Sequence, residues 1–326
     1  GIDWTIADTG WAKASYGKLY GQWLCGTCVF VYDYNRFNSD SVLNMLSKYK
    51  ITNFCAPPTV YRYFISEDLS EYDFSSVLNA SSVGEPLHPD VFRKFREMTG
   101  IEIHEALGQT ESACIVGNFT GIEIKPGSMG KANPLYKVFI LNNENKLARC
   151  GEEGKVAVYL GDTVSSDDCY PCHKYSQYPI GLFQGYIYDK EKNSKIYVND
   201  FYLTGDVAKK DEEGYYWFVS RDDDVIKTSG YRVGPFEIES VLMAHPSVKE
   251  CAVVGEPDFA RGQIVKAFVV LNEGFEPAGE LSDELVEFVK QNTAPYKYPR
   301  KLEFINELPK NNNGKINRTL LKKGSV

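Results

Sequence analysis

The chain has 326 residues, 43% of them hydrophobic and 25% charged, ordinary values for a globular protein that can bury large cores. At about 100–200 residues per domain, this length predicts two or three domains. The formal net charge is −8 and its one basic segment, residues 291–326, is too small and too local to argue for a nucleic-acid partner, and no run approaches the ~18 apolar residues of a membrane span; the first residues, GIDWTIADTGW, lack the basic start and apolar centre of a signal peptide, so a cytoplasmic location is expected, or the mitochondrial matrix in a eukaryote.

Residues 1–135 alternate helical patterns with short apolar strands. DSVLNMLSKYK has helical spacing behind an Asp start signal, and ITNFCAPP follows as a buried strand ended by prolines. DVFRKFREMTG predicts a helix closed by Gly100, and IEIHEAL a strand. This alternation is α/β architecture. Residues 136–220 change character: YKVFIL, GKVAVYL, GYIYD and GYYWFV read as short strands between Gly, Asn and Asp turns, a small β-barrel-like subdomain. Within it, GDTVSSDDCYPCHKYSQYP is polar and turn-rich, a surface loop.

Residues 223–326 predict a compact α+β unit. GPFEIESVLMAH is a helix with Pro235 near its first position, ECAVVGE and IVKAFVVL are strands, and SDELVEFVKQN is a helix capped by Ser282. Residues 291–326 carry eight Lys or Arg against two Glu, a balance of +6 beside −14 for the rest of the chain. A basic segment on an acidic body suits a lid over an anionic ligand, and the bland alternative is a solvated tail. The expected fold is thus the α/β portion of a large domain, a β-rich subdomain, and a C-terminal α+β lid domain.

Eight cysteines include two CxxC pairs, CGTC from Cys25 and CYPCH from Cys169 to His173. The first resembles a redox dithiol and the second a haem-attachment pattern. One zinc site is opposed by the 140 residues between Cys28 and Cys169, far beyond the ~15–20 of a zinc ribbon. Reduced, scattered thiols are the default.

Polar stretches at element ends are the candidate chemistry, because ligands bind there in α/β proteins. SVGEPL, Ser82 to Leu87, is one. In HEALGQTES, Thr110 and Glu111 could hold a phosphate oxygen and Mg²⁺, since a hard cation takes carboxylate oxygen and a hydroxyl donates to phosphate. A Thr-Glu cap on a helix N-terminus is the commoner meaning of that pair. In YLTGDVAKKDEEGYYWFVSRDDDVIKTSGYRVGPFEIE, Asp206 follows a strand and a glycine, as a carboxylate accepting both ribose hydroxyls would. Arg221 ends the next strand with a fork suited to phosphate or diol oxygens. RDDD reads otherwise as a linker, and Gly230 as a place where a ligand passes the backbone. Lys315 stands behind three asparagines and a glycine, eleven residues from the last. It is either a frayed, solvated tail lysine or one that must reach a site and leave it.

Together, TGD, RDDDVIKTSGYRVGPFEIE and LPKNNNGKINR resemble, in order, the AMP-forming acyl-CoA synthetases of the adenylate-forming superfamily, over nearly the whole chain. PGSMGK, SGYRVGPFE and TAPYKYPRK are most similar to the medium-chain branch. The resemblance implies ATP-dependent activation of a carboxylic acid as an acyl-adenylate, then transfer to coenzyme A. Its implied ligands are ATP or AMP, coenzyme A, Mg²⁺ and a small carboxylic acid. Gly84, Glu85 and Pro86 would line the adenine pocket, with Glu105 and Leu107 also at the nucleotide. Thr110 would touch the α-phosphate and Glu111 would hold Mg²⁺. Asp206 would bind the ribose hydroxyls, with Arg221 on ribose or phosphate. Asp223 would be a hinge, Gly230 and Tyr231 would border the pantetheine tunnel, and Arg232 would lie near phosphate. Lys315 would be the lysine of the adenylation half-reaction, carried away before thiol attack. Gly108 would open the acyl pocket, where acetate-specific relatives place a Trp; a glycine required only by positive φ is the plainer explanation.

Three departures qualify the resemblance. The family's Ser/Thr/Gly-rich phosphate loop, and any GxxxxGK[ST] substitute, are absent, so the chain looks like the distal portion of a longer enzyme with weak or no adenylation as given. Leu107 replaces an aromatic beside adenine, and Ser220 a common Gly. A non-catalytic nucleotide- or CoA-binding module, and an adenylation domain that loads a carrier protein, are the alternatives.

Overall fold

A computed structural model describes residues 1–34, 37–164, 174–310 and 315–323. The CYPCH stretch and Asn311 to Gly314 lie outside them. The chain divides into two compact units, one of residues 1–204 and 208–217, the other of residues 205–207 and 218–326.

The first unit opens on a seven-stranded sheet. Its strands are β1 (Ile2–Thr5), β2 (Cys28–Val29), β3 (Asn53–Ala56), β4 (Asn79–Val83), β5 (Ile103–Gln109), β6 (Ser112–Gly117) and β7 (Lys131–Ala132). The spatial order is β2-β1-β3-β4-β5-β6-β7. Pairing is parallel from β2 through β5 and antiparallel from β5 to β7. The connections from β2 to β3, β3 to β4 and β4 to β5 are helices α1 (Ser39–Lys48), α2 (Pro58–Phe64) and α3 (Pro89–Thr99). Leu43, Leu46, Tyr61, Phe64 and Phe95 from these helices bury against Trp4, Phe54 and Ile103 of the strands. The start of α1 is capped by Asn38, whose side chain accepts from the Ser41 N–H at 2.7 Å, so the Asp start signal lies two residues too far in. Gly100 closes α3 at φ +75°, as expected.

The expected β-rich region supplies β8 (Val138–Leu141), β9 (Gly154–Tyr159), β10 (Tyr197–Val198), β11 (Phe201–Lys210) and β12 (Tyr216–Arg221), with a short helix α4 (Lys190–Ile196). They form one five-stranded sheet, β10-β11-β9-β8, with β12 on β11. GYIYD is not a strand. Gly185 has φ +103° and Tyr188 φ +61°. The Asn193 side chain accepts from the Tyr186 N–H and donates to the Tyr186 carbonyl, each at 2.8 Å, which takes both groups a strand ladder would need.

The second unit holds a sheet in the order β14-β13-β16-β15, with β17 on β16. These are β13 (Ile226–Thr228), β14 (Tyr231–Val233), β15 (Val248–Asp258), β16 (Gly262–Leu271) and β17 (Lys301–Phe304). Period-two alternation buries both faces. Val253, Val265, Ala267 and Val269 meet Ile238 and Leu242 of α5 (Pro235–Met243) and Leu285 and Val289 of α6 (Gly279–Asn292). Ala252, Val254, Phe268 and Val270 meet Leu308 and Leu321, the latter on α7 (Arg318–Lys322). Ser282 does not cap α6, which starts a turn earlier behind Ala278. Among the described residues no helix is long and apolar enough to cross a membrane.

Candidate active site

In the first unit, the candidate residues gather at the ends of β4 and β5. Gly84 leaves β4 exposed at φ +110°, a conformation that admits glycine readily. Glu85 and Pro86 follow half-buried, and Leu87 turns back into the core. The Leu87 N–H donates to Glu105 Oε1 at 3.1 Å, so the buried Glu105 on β5 holds the loop after β4. Burial pushes the Glu105 carboxyl up to about 8, with the Leu87 N–H opposing. Ser82, opposite Glu105 in the parallel register, has a buried hydroxyl oxygen without a hydrogen-bond partner among the described residues. The hydroxyl of Ser112, next to Glu111, is in the same condition. Buried polar atoms left in this state mark places where a ligand or water completes the bonding.

Thr110 and Glu111 do not cap a helix. Gln109 pairs with Ser112 across an antiparallel hairpin, and Thr110-Glu111 are its two-residue tip. Thr110 is exposed and Glu111 half-buried. Gln109 anchors the tip: its Nε2 donates to the Thr204 carbonyl at 2.7 Å and its Oε1 accepts from the Tyr202 hydroxyl at 2.9 Å. The Tyr186 hydroxyl donates to Glu111 Oε1 at 2.6 Å. Leu107 faces Val116 in this hairpin, half-buried.

Gly108 is not a glycine for reasons of positive φ, since it is absent from the left-handed positions. It sits where the β5–β6 register shifts, and a Cβ there would lie 3.1 Å from the Ala113 carbonyl and 3.2 Å from the Cys114 backbone. A side chain there would press on the bulged partner strand, which would have to give by a few tenths of an ångström, whereas the local turn demands no positive φ.

In the second unit, Asp206 is buried on β11 and Arg221 Nη1 donates to its Oδ1 at 2.8 Å, while Arg221 remains half-exposed. Gly205 makes that approach possible: it has φ +77°, and a Cβ there would stand 2.7 Å from Arg221 Nη2. Asp223 lies in a turn closed by the Asp224 N–H on the Arg221 carbonyl. Lys322 holds that turn, donating to the Asp223 carbonyl at 3.4 Å and to Asp224 Oδ1 at 2.8 Å. Ser229 and Gly230 form the two-residue turn between β13 and β14, with φ +50° and +84°, the doubly positive pattern that fits strand twist. Among the described residues, no heavy atom apart from its chain neighbours lies within 4 Å of a Cβ built on Gly230. Tyr231 stacks on Tyr296 at 4.3 Å and 12°, and Arg232 Nη2 donates to Asp222 Oδ1 at 3.3 Å.

Lys315 is half-buried and does not lie in a frayed tail. Lys310 and Ile316 form a bridge on either side of it. Upstream, Lys310 Nζ donates to both Glu250 oxygens at 2.9 and 3.0 Å. Downstream, Arg318 Nη2 donates to both oxygens of the buried Glu239 at 2.8 and 2.9 Å, and the same carboxylate accepts from the Val253 N–H.

For a divalent cation, Glu111 supplies one carboxylate, and no group of three or more His, Cys, Asp or Glu among the described residues could hold a metal. That donor set fits Mg²⁺, which uses one or two carboxylates plus substrate phosphates in preference to a protein cage. No disulfide joins the six described cysteines.

Two family descriptions match the chain: AMP-binding enzyme over residues 4–165 and AMP-binding enzyme C-terminal domain over residues 237–315. The chain belongs to the AMP-binding enzymes. It is 45% identical over 324 residues to acyl-coenzyme A synthetase ACSM3, mitochondrial, of Rattus norvegicus, covering 99% of this chain and 53% of the relative. It is 46% identical over 323 residues to acyl-coenzyme A synthetase ACSM4, mitochondrial, of Homo sapiens, with 98% and 53% covered. The chain thus spans about half the length of the curated relatives it matches. Among solved structures, the anthranilate CoA ligase AuaEII in complex with anthranoyl-AMP matches with a TM-score of 0.85 at 31% identity, over 99% of this chain and 59% of that one. The fold is that of the AMP-binding enzymes, a large α/β domain followed by a smaller C-terminal domain. Tyr186, Gln109 and the Glu239–Arg318 pair, which contact candidate residues or the segments beside them, were missed by sequence reading. GYIYD carried a signal, its aromatic alternation, but it pointed to a strand.

Proposed function

We propose that the protein, at its native length, activates a carboxylic acid with ATP as an acyl-adenylate and transfers the acyl group to coenzyme A. In the first step a carboxylate oxygen attacks the α-phosphorus and pyrophosphate leaves. In the second the CoA thiol attacks the acyl carbon and AMP leaves, giving acyl-CoA. The observation that carries this reading is similarity along both units to relatives named acyl-coenzyme A synthetases; the motifs TGD, RDDDVIKTSGYRVGPFEIE and LPKNNNGKINR, which resemble the family's in order, support it.

A carboxylate is a poor electrophile, so the chain's residues have charge to stabilise in the first step. The exposed Thr110 hydroxyl can donate to a phosphate oxygen, and the buried Asp206 carboxylate suits a ribose diol. Arg221, already turned toward Asp206 by Gly205, adds fixed donors beside that diol. The proposed role of Glu105 is to keep Gly84, Glu85 and Pro86 at the adenine. Mg²⁺, held by Glu111 and the nucleotide's phosphates, would neutralise charge on the leaving pyrophosphate. Lys315 is assigned to α-phosphate charge in adenylation, with its flanks braced by Lys310 and Arg318. Asp223 is the proposed hinge, and Gly230, Tyr231 and Arg232 the proposed coenzyme A border. Gly108 is assigned to the acyl pocket, supporting a medium-chain acid. The relatives' mitochondrial names support a mitochondrial compartment over the cytoplasm.

Lys315→Ala tests this. Carboxylate-dependent pyrophosphate exchange should fall by roughly 10²–10³, while thioester formation from supplied acyl-AMP stays near the parent rate. Equal loss in both half-reactions would make the lysine structural.

A further inference from the structure

One short segment grips Glu111 twice. The Phe183 N–H donates to the Glu111 carbonyl at 2.8 Å, and the Tyr186 hydroxyl donates to Glu111 Oε1 at 2.6 Å. Tyr186 is itself held from several sides. Asn193 takes its backbone N–H and carbonyl. The Phe183 ring meets its ring edge-on at 5.0 Å, and the Lys192 ammonium stands 3.7 Å from its ring centroid. Gly185, with φ +103°, lets the chain turn there, and a Cβ would come within 3.1 Å of Asn193 Oδ1. A phenol that merely needs an acceptor does not require this much construction. Here backbone, ring and hydroxyl are all fixed, and the hydroxyl ends on a carboxylate 75 residues away in the chain.

We infer that Tyr186 is a positioning residue for Glu111, committing Oε1 to the phenol so that the carboxylate meets the metal through Oε2. The inference rests on the proposed role of Glu111 as the Mg²⁺ ligand. Partners of this outer kind fix ligand orientation, and their loss costs about 10–100-fold in metal affinity or activity. The phenol acts here as a hydrogen-bond donor to Oε1.

Tyr186→Phe removes the hydroxyl and keeps the ring with its Phe183 and Lys192 contacts. Mn²⁺ binding in the presence of ATP, followed by electron paramagnetic resonance on the native-length protein, reads the metal site without turnover. Mn²⁺ should bind roughly tenfold more weakly in Tyr186→Phe. The Mg²⁺ concentration for half-maximal pyrophosphate exchange should rise in parallel, while thioester formation from supplied acyl-AMP is unchanged. On a Glu111→Gln background, Tyr186→Phe should add no further loss. Parent-like Mn²⁺ affinity in Tyr186→Phe, with Glu111→Gln weakened, would overturn the inference and leave the proposed function standing. Parent-like affinity in Glu111→Gln would overturn both the ligand assignment and the inference built on it.

Discussion

Replacing Glu105 with glutamine removes an ionisable carboxyl but keeps its shape and the oxygen that accepts from Leu87. In the parent, burial raises this carboxyl from its ordinary 4.5 to about 8. Below 4.5 the folded and unfolded chains both carry the proton, and stability does not depend on pH through this group. As pH rises past 4.5, the unfolded chain ionises Glu105 while the folded chain does not, so stability falls. The loss is complete once the folded group ionises above about 8. The interval from 4.5 to about 8, at about 1.36 kcal/mol per pH unit, comes to about 5 kcal/mol, with about 3 kcal/mol lost by pH 7. The substituted chain has no such loss. Urea titrations of both proteins across this window give the difference directly, and every titrating group they share cancels in it. The variant should gain on the parent steadily between 4.5 and 8 and level off beyond. A difference independent of pH would refute the burial of an ionisable Glu105 and, with it, the neutral acid that holds the Gly84–Pro86 loop.

Gly108→Trp in the native-length protein should move the kcat/KM order from medium-chain acids toward acetate and propionate, since each CH₂ lost from burial costs about 0.8 kcal/mol, roughly fourfold. Gly108→Ala is its control: its Cβ meets the Ala113 carbonyl at 3.1 Å, so it should lower the melting temperature without reordering the acids, and an unchanged order in the Trp variant would end the pocket reading. Arg318→Met should cost about 3 kcal/mol in chemical denaturation, because it strands the buried Glu239 carboxylate; a loss under about 1 kcal/mol would mean the pair is not desolvated.

Much of this fold is legible in the sequence because it is written in local period. The runs ECAVVGE and IVKAFVVL alternate so that both faces of β15 and β16 bury, and DVFRKFREMTG carries its apolar stripe and its closing glycine together. Where the reading failed, a second segment had taken over the local signal. Thr110-Glu111 has the composition of a helix cap, yet SACIVG returns as a strand, and only pairing with β5 makes a hairpin of it. GYIYD has the aromatic alternation of a strand, yet Asn193 removes Tyr186's ladder groups. Ser282 looks like a cap, yet the helix gains another turn before it.

The site divides along the same line. Residues assigned to touch ligand stand beside glycines and strand ends, where short motifs can be recognised: Gly84 with Glu85, Gly205 with Asp206, Gly230 with Tyr231. The residues that aim them are distant in sequence. Tyr186 reaches Glu111 from 75 positions away, and Arg318 reaches Glu239 from 79. Long-range contacts of this kind leave no periodic trace, since any tyrosine or arginine of suitable reach could serve. The glycines show where both kinds of information meet. Gly205 is needed for its own φ, a local requirement, and also because Arg221 Nη2 would lie 2.7 Å from any Cβ there. A motif such as TGD is therefore short in sequence but enforced by a partner on the next strand, and substituting its glycine disturbs the Asp206–Arg221 pair before it touches any ligand.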